Sequence, residues 1–286
     1  MDDASFIRYL SAKKTVDDRA LNRRVWDAMT ARVRGLSPRV LELGGGIGTM
    51  IERAAADPAL RPRSWTLVDD QSALVAEARR RLAGLDKFPV ELLCTGVQDF
   101  IAQGVEPFDL VIANAFLDLF DPAQILPQLL RLTQPSGSFL FSITFDGLTA
   151  LEPEFDRELD QRIVDLYHRT MDERIVAGRI SGDSRCGRHL LTLLPRIGYQ
   201  LVEAGSSDWI VHPCEGGYPA DEGYFLSCIL GFFEESLSGR AEMDRGELLG
   251  WLGARRAQLA AGELVLIAHQ VDVCAAPSRK PVGIRA

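Results

Sequence analysis

From Arg39 to about Phe145 the chain alternates apolar strand-like runs with helical runs, and this rhythm constrains the fold more than any other feature. The runs "RVLEL", "SWTLVD", "VELLCTG", "FDLVIAN" and "GSFLFSITF" read as strands. Between them lie "GTMIERAAAD", "SALVAEARRRLAG", "VQDFIAQG" and "AQILPQLLRLT", which read as helices. Central strands that are apolar on both faces belong in a parallel sheet wrapped by helices. Right-handed crossovers then leave an α/β, doubly wound sheet. Two later strand-like runs, "QLVEAGSSDWIV" and "ELVLIAHQVDV", bring the expected sheet to seven strands.

The flanks have a different texture. Residues 4–34 read as one or two helices, with Asp17 or Asp18 as the cap of the second. After Gly147 the βα rhythm stops. A charged amphipathic helix over 152–176, a glycine-rich loop "GRISGDSRCGR" and a helix "HLLTLLPRIGY" follow. Two more helices are expected over 220–237 and 244–261. The expected organisation is a helical lid over 1–36 and a ligand-binding domain over 37–275. That domain has a cap insertion at about 147–190 and helices at about 220–261, and a disordered tail follows over 276–286.

With 47% apolar and 25% charged residues the chain can bury a full core. Its net charge of −8 argues against a general nucleic-acid binder, which needs a basic face to displace counterions. The five cysteines are widely spaced and form no C-x-x-C pair, which fits a reducing cytoplasm better than a disulfide framework. The acidic start "MDDASFIRYL" has no signal-peptide core, and the most apolar stretch, "FLSCILGFF", is too short to span a bilayer. No membrane partner is expected.

The first strand runs into "LELGGGIGTM". One glycine would be enough for a strand-to-helix turn. Several in a row allow a ligand to approach the backbone and present N–H groups at a helix N-terminus, at the carboxyl edge where open sheets bind ligands. A dinucleotide fingerprint, G-x-G-x-x-G, would need a glycine where Thr49 stands. The sequence has instead Glu42-x-Gly44-x-Gly46-x-Gly48, with Gly45 between. In this form it resembles the first motif of the class I S-adenosylmethionine-dependent methyltransferases. The likeness extends over about residues 39–145. The resemblance implies an antiparallel last strand. It also implies that Asp69, closing "WTLVDD" with Asp70 beside it, binds the ribose hydroxyls of S-adenosyl-L-methionine. The adenine would lie near Gly96, Val97 and Gln98, where the family often has an acid directly after the glycine and this chain has Val97. Asn114, Ala115 and Phe116, at the end of the fourth strand, would line the methionine part.

In that family the methyl group moves by in-line displacement, and the resemblance implies no obligatory catalytic residue. His168, His189 and His212 are the candidates for a base, while His269 alternates within an apolar strand and reads as structural. No metal site is expected, because His168 with Asp172 and His212 with Cys214 lack companions at zinc spacing. The leader "YLSAKKTVDDRALNRRVW" is expected to fold over the strand ends, with Tyr9 and Arg19 or Asn22 facing the cofactor. A small organic acceptor suits a capped site, on a monomer or homodimer. The alternatives are an NAD(P)-dependent oxidoreductase and a non-catalytic S-adenosylmethionine-binding regulatory protein.

Overall fold

The computed structural model describes residues 1–176 and 178–278. Two helices, α1 (Asp3–Ala20) and α2 (Arg23–Val33), precede the sheet. Then come β1 (Arg39–Leu43), α3 (Thr49–Ala56), β2 (Ser64–Asp69), α4 (Ser72–Arg81), β3 (Val90–Cys94), α5 (Val97–Ala102), β4 (Phe108–Asn114), α6 (Pro122–Leu129) and β5 (Thr133–Glu152). Beyond them are α7 (Arg157–Asp172), a two-strand hairpin β6 (Ile175–Val176) and β7 (Arg179–Ile180), α8 (Cys186–Arg196), β8 (Tyr199–Ser206) and β9 (Trp209–Val211). The last elements are α9 (Glu222–Leu237), α10 (Arg245–Ala260) and β10 (Val265–Pro277). Among the described residues no helix is long and apolar enough to cross a membrane.

Seven strands lie in the order β3-β2-β1-β4-β5-β10-β8, and β9 joins as an eighth by pairing with β10. The pairs among β1 to β5 are parallel. β10 runs antiparallel to β5, β8 and β9. The expected mostly parallel sheet with an antiparallel last strand is therefore the observed one. "QLVEAGSSDWIV" divides into two strands, so the sheet has one strand more than expected. The chain leaves β1 towards β3 and returns to β4 on the other side, which opens a crevice at the carboxyl ends of β1 and β4.

Several boundaries differ from the sequence expectation. β5 does not stop near Gly147 but continues to Glu152, paired with β10 through Val265↔Glu152. Register shifts interrupt this ladder at Ala268/Gln270 and Val271/Val273, and Ile143 adopts φ 52°. Such bulges bend and twist a ribbon. α8 packs on β5, β8 and β10 and belongs to the sheet's own helical cover. Ala276 and Pro277, expected in a disordered tail, extend β10 opposite Gln200 and Tyr199. The remainder of that tail, 279–286, lies outside the described residues.

The cap is assembled from three separate stretches of chain. Val16 of α1, Ile163 of α7, Phe225 and Phe233 of α9 and Trp251 of α10 share one apolar core with Leu266 of the extended β10. The amphipathic faces of these helices are buried against each other, and the β5–β10 ribbon holds them over the crevice.

Asp272 ties the leader to the sheet. Its carboxylate is fully buried and accepts the Asn22 N–H and the Ile143 N–H, each at 2.7 Å. Asn22 in turn caps α2 by accepting the Val25 N–H at 3.2 Å. Neither Asp17 nor Asp18 has the capping role expected of it; both lie within α1. Asp272→Ala removes the acceptor from two buried donors, and each orphaned donor costs about 1–3 kcal/mol. The expected result is a loss of about 2–6 kcal/mol in denaturant unfolding; a loss under about half a kcal/mol would show that water replaces the carboxylate.

Candidate active site

The turn after β1 is shaped by its glycines in two ways. Gly44, Gly46 and Gly48 all have positive φ. A Cβ at Gly44 would stand 2.2 Å from the Phe116 ring, and one at Gly45 would stand 2.4 Å from Leu67. Those two glycines are needed by the protein's own packing. Gly46 differs, because a Cβ there would meet only Leu10 of α1, at 3.5 Å. The space above Gly46 is open, as a cradle for a bound group requires.

Two acids hold the turn from below. Asp69, at the end of β2, is 9% exposed and accepts the Gly46 N–H at 2.9 Å and the Gln71 N–H at 3.0 Å. Its neighbour Asp70 is exposed. Each Asp69 oxygen retains a lone pair for a further donor. Glu42, in β1, is 2% exposed and takes the Trp65 indole N–H at 2.9 Å. Burial pushes the Glu42 carboxyl up to about 8, against the downward pull of that hydrogen bond. Burial also raises Asp69.

A cavity of about 580 Å³ opens from this turn into the space under the cap. That is within the range of small-molecule sites, about 300–1,000 Å³. Of the residues expected at the cofactor, Glu42, Gly44, Gly45, Gly46, Asn114, Ala115 and Tyr9 line the cavity. Gly48, Asp69, Asp70, Gly96, Val97 and Gln98 are outside its lining. Asp69 and Gly96 nevertheless lie at adjacent strand ends, since Asp69 pairs with Cys94 across β2 and β3. Asn114 accepts from the Ser142 hydroxyl at 2.8 Å, and Ala115 adopts φ 49° at the rim of β4.

The expected histidines are elsewhere. His168 is buried behind Thr149, with its Nε2 3.0 Å from the Thr149 hydroxyl, and burial lowers its pKa. His189 faces Asp183 at 2.7 Å on α8, and His212 folds onto the Pro213 carbonyl in an exposed loop. None of the three lines the cavity. Arg19 also turns away from it, to pair with the buried Glu222 at 2.5 Å. The Asn22 side chain donates to the Ser206 carbonyl. Both therefore anchor the leader and do not face the cavity.

The cavity gathers residues that local patterns did not single out. Lys13 pairs with Asp17, its ammonium lies 5.1 Å over the Trp209 ring, and the Trp209 indole donates to Asp17 at 2.9 Å. Asp118 and Arg174 stand on the wall together. Asp118 was visible in "NAFLDLF" as the one acid between apolar residues just past β4, but nothing local shows where it points.

Residues 40–137 match the family model described as a methyltransferase domain. That stretch of the chain is a methyltransferase domain, and the remaining residues lie outside the match. No curated protein matches. Among solved structures, a protein from Bacillus halodurans described as a methyltransferase superposes with a TM-score of 0.52 at 13% identity, over 89% of this chain and 98% of that one. The YcgJ protein from Bacillus subtilis has a TM-score of 0.49 at 13% identity, over 91% and 100%. A methyltransferase from Thiobacillus denitrificans, solved with S-adenosyl-L-homocysteine, has a TM-score of 0.45 at 15% identity, over 90% and 92%. At such identities the likeness concerns the fold.

The residues present fit S-adenosyl-L-methionine, the cofactor that the glycine motif implies. Its sulfonium and ammonium are cations, and Glu42 is a buried acid with one hydrogen-bond partner at the edge of the open cradle. Gly46→Ala would place a methyl in that cradle and force an L-residue to φ 53°, at a cost of about 1–2 kcal/mol. The expected outcome is a folded protein by circular dichroism that binds S-adenosyl-L-homocysteine at least about tenfold more weakly by calorimetry. Unchanged affinity would move the cofactor off this turn.

Proposed function

We propose that this protein transfers a methyl group from S-adenosyl-L-methionine to a small organic acceptor held in the chamber beneath the cap. The observation that carries this reading is the continuity of one cavity from Gly46 to a wall of aromatic side chains on α1, α7 and α9. When bound, the cofactor supplies an electrophilic methyl on a sulfonium and leaves as a neutral thioether. The chain's part is to position and to exclude water. Asp69 takes the ribose hydroxyls while it holds the Gly46 amide. Glu42 balances cofactor charge, and α1 closes over the turn through Tyr9 and Leu10. A covered chamber of this size favours a small acceptor over a nucleic-acid duplex.

Thermal unfolding with ligands tests this. S-adenosyl-L-homocysteine at a hundredfold excess over its dissociation constant should stabilise the fold by about 2.7 kcal/mol, and NADH or NADPH should do nothing. A shift with NADH alone would favour the oxidoreductase instead. Tight S-adenosyl-L-homocysteine binding without turnover on any acceptor would favour a regulatory protein.

A further inference from the structure

Arg174 lies between the end of α7 and β6, and it lines the chamber. Its guanidinium is fixed by the main chain and not by an acid. Nε donates to the Ser181 carbonyl at 3.0 Å, and Nη2 donates to the Asp118 carbonyl at 3.2 Å. The Ser181 segment is locked in place too. Its N–H donates to the Arg174 carbonyl at 2.7 Å, and its hydroxyl donates to the Leu119 carbonyl at 2.6 Å. Gly182 permits this close packing, because a Cβ there would stand 2.8 Å from Arg174 Nη2. Nη1 remains accessible, and its two N–H groups have no acceptor among the described residues. Nor does Arg174 form an ion pair among them. A partly buried cation with no anion in contact is costly, and a ligand anion would offset that cost.

Two neutral donors share the chamber with this cation. Tyr9 is 8% exposed, and neither its hydroxyl nor that of Tyr167 makes a hydrogen bond within the described residues. Both hydroxyls keep accessible surface. Their rings are held by stacking, Tyr9 on Phe225 at 5.7 Å and Tyr167 on Phe233 at 4.1 Å. Burial keeps both phenols protonated, with Tyr167 pushed up to about 12, so each is a donor near neutrality. Arg174 is close enough to Tyr167 to oppose that rise. The other cation of the wall, Lys13, is already paired with Asp17. Asp118 feels the charge of Arg174 but makes no ion pair with it, and its Oδ1 is shielded from solvent. Asp118 therefore tempers the field of the guanidinium and leaves its Nη1 free.

A protonated amine at this point would be repelled by Arg174. A neutral amide would satisfy the hydroxyls and leave the guanidinium without a counterion. A carboxylate takes all three donors. Phe145, Trp209 and Phe232 supply flat apolar faces for the rest of the ligand. We infer that the methyl acceptor is an aromatic acid whose carboxylate is bound by Arg174 Nη1 and by the hydroxyls of Tyr9 and Tyr167. Arg174 is then the specificity-determining residue of the chamber. A carboxylate paired in this way is a poor nucleophile, which makes it the handle and not the methylated group. The inference rests on the methyltransferase reading above.

The test uses the full chain saturated with S-adenosyl-L-homocysteine, with phenylacetate and phenylacetamide as probes of nearly equal shape, read by calorimetry near neutral pH. Wild type should bind phenylacetate at least about tenfold more tightly than phenylacetamide. Arg174→Gln should bring the two probes within about threefold of each other, and Arg174→Lys should keep part of the preference, since it keeps the charge and loses the fork. Tyr167→Phe should weaken phenylacetate by about 3- to 10-fold. Asp118→Asn should bind phenylacetate more tightly than wild type, because a negative charge beside Arg174 is gone. Equal binding of acid and amide by wild type, or binding of neither, would overturn the acceptor class; this comparison needs no variant to fold. A preference for the acid that survives Arg174→Gln would overturn the role of Arg174, and weaker acid binding by Asp118→Asn would place the anion elsewhere. Failure of wild type to bind S-adenosyl-L-homocysteine, measured before either probe is added, would instead remove the methyltransferase reading beneath the inference.

Discussion

Glu42→Gln is expected to weaken cofactor binding by about 10- to 100-fold while leaving the free protein at least as stable as wild type. The glutamine oxygen can still accept the Trp65 indole N–H, so the buried hydrogen bond survives. What is lost is the negative charge beneath a cationic ligand, and hydrogen bonds to charged groups are worth about 1.5–3 kcal/mol. The pH dependence separates this from a packing effect. In the free protein the Glu42 carboxyl is raised to about 8, so binding a cation draws it into its ionised form and releases a proton. Wild-type affinity should therefore rise with pH towards 8 relative to the variant, which carries only the contribution of the ligand's own amino group. Stability has the opposite sign. A carboxyl whose folded pKa lies above its unfolded value makes a contribution that is complete below the ordinary value of 4.5 and is lost as pH rises from there through about 8. The melting temperature of the free Glu42→Gln protein should thus pull ahead of wild type across that interval, with no further gain above about 8. Calorimetry in two buffers of different ionisation enthalpy measures the proton release. Parallel pH profiles for wild type and variant would place the cofactor charge elsewhere.

Deletion of residues 1–24 should have the largest effect of all. The sheet does not contain the leader, so far-UV circular dichroism should retain its α/β signature. The cap, however, is built partly from α1. Tyr9 stacks on Phe225 at 5.7 Å and meets Phe232 edge-on at 5.2 Å, and Ala12 and Val16 are buried beside them. Removal of one large core aromatic costs about 3–5 kcal/mol, and this deletion also strips the Asn22 link to Asp272 and the partner of Glu222. The expected product is a folded sheet with a loosened, dye-binding cap, cofactor affinity at least about tenfold weaker and no transfer activity. A truncated protein that melts and binds as the intact one does would reduce α1 to an appendage.

Local sequence determined the sheet. Strand-length apolar runs, helical periodicity and glycine punctuation are set by steric rules that act within a few residues, so the five parallel strands from Arg39 onward and the glycine turn were legible. So were the places of Glu42, Asp69 and Asn114 at strand ends, because crossover handedness and strand polarity put them on the carboxyl edge. The length of β5 was not legible, because it depends on β10, which pairs with it from more than a hundred residues away in the chain. The cap was not legible either, since three distant stretches share its core and each alone reads as an ordinary amphipathic helix. The same long-range packing turned Arg19 onto Glu222 and placed His168 behind Thr149. It also brought Asp118 and Arg174 to one wall of the chamber. Secondary structure and a backbone turn are properties of neighbours in sequence. Which side chains face one chamber is settled only when burial brings remote segments together and each charge must find a partner or go without one.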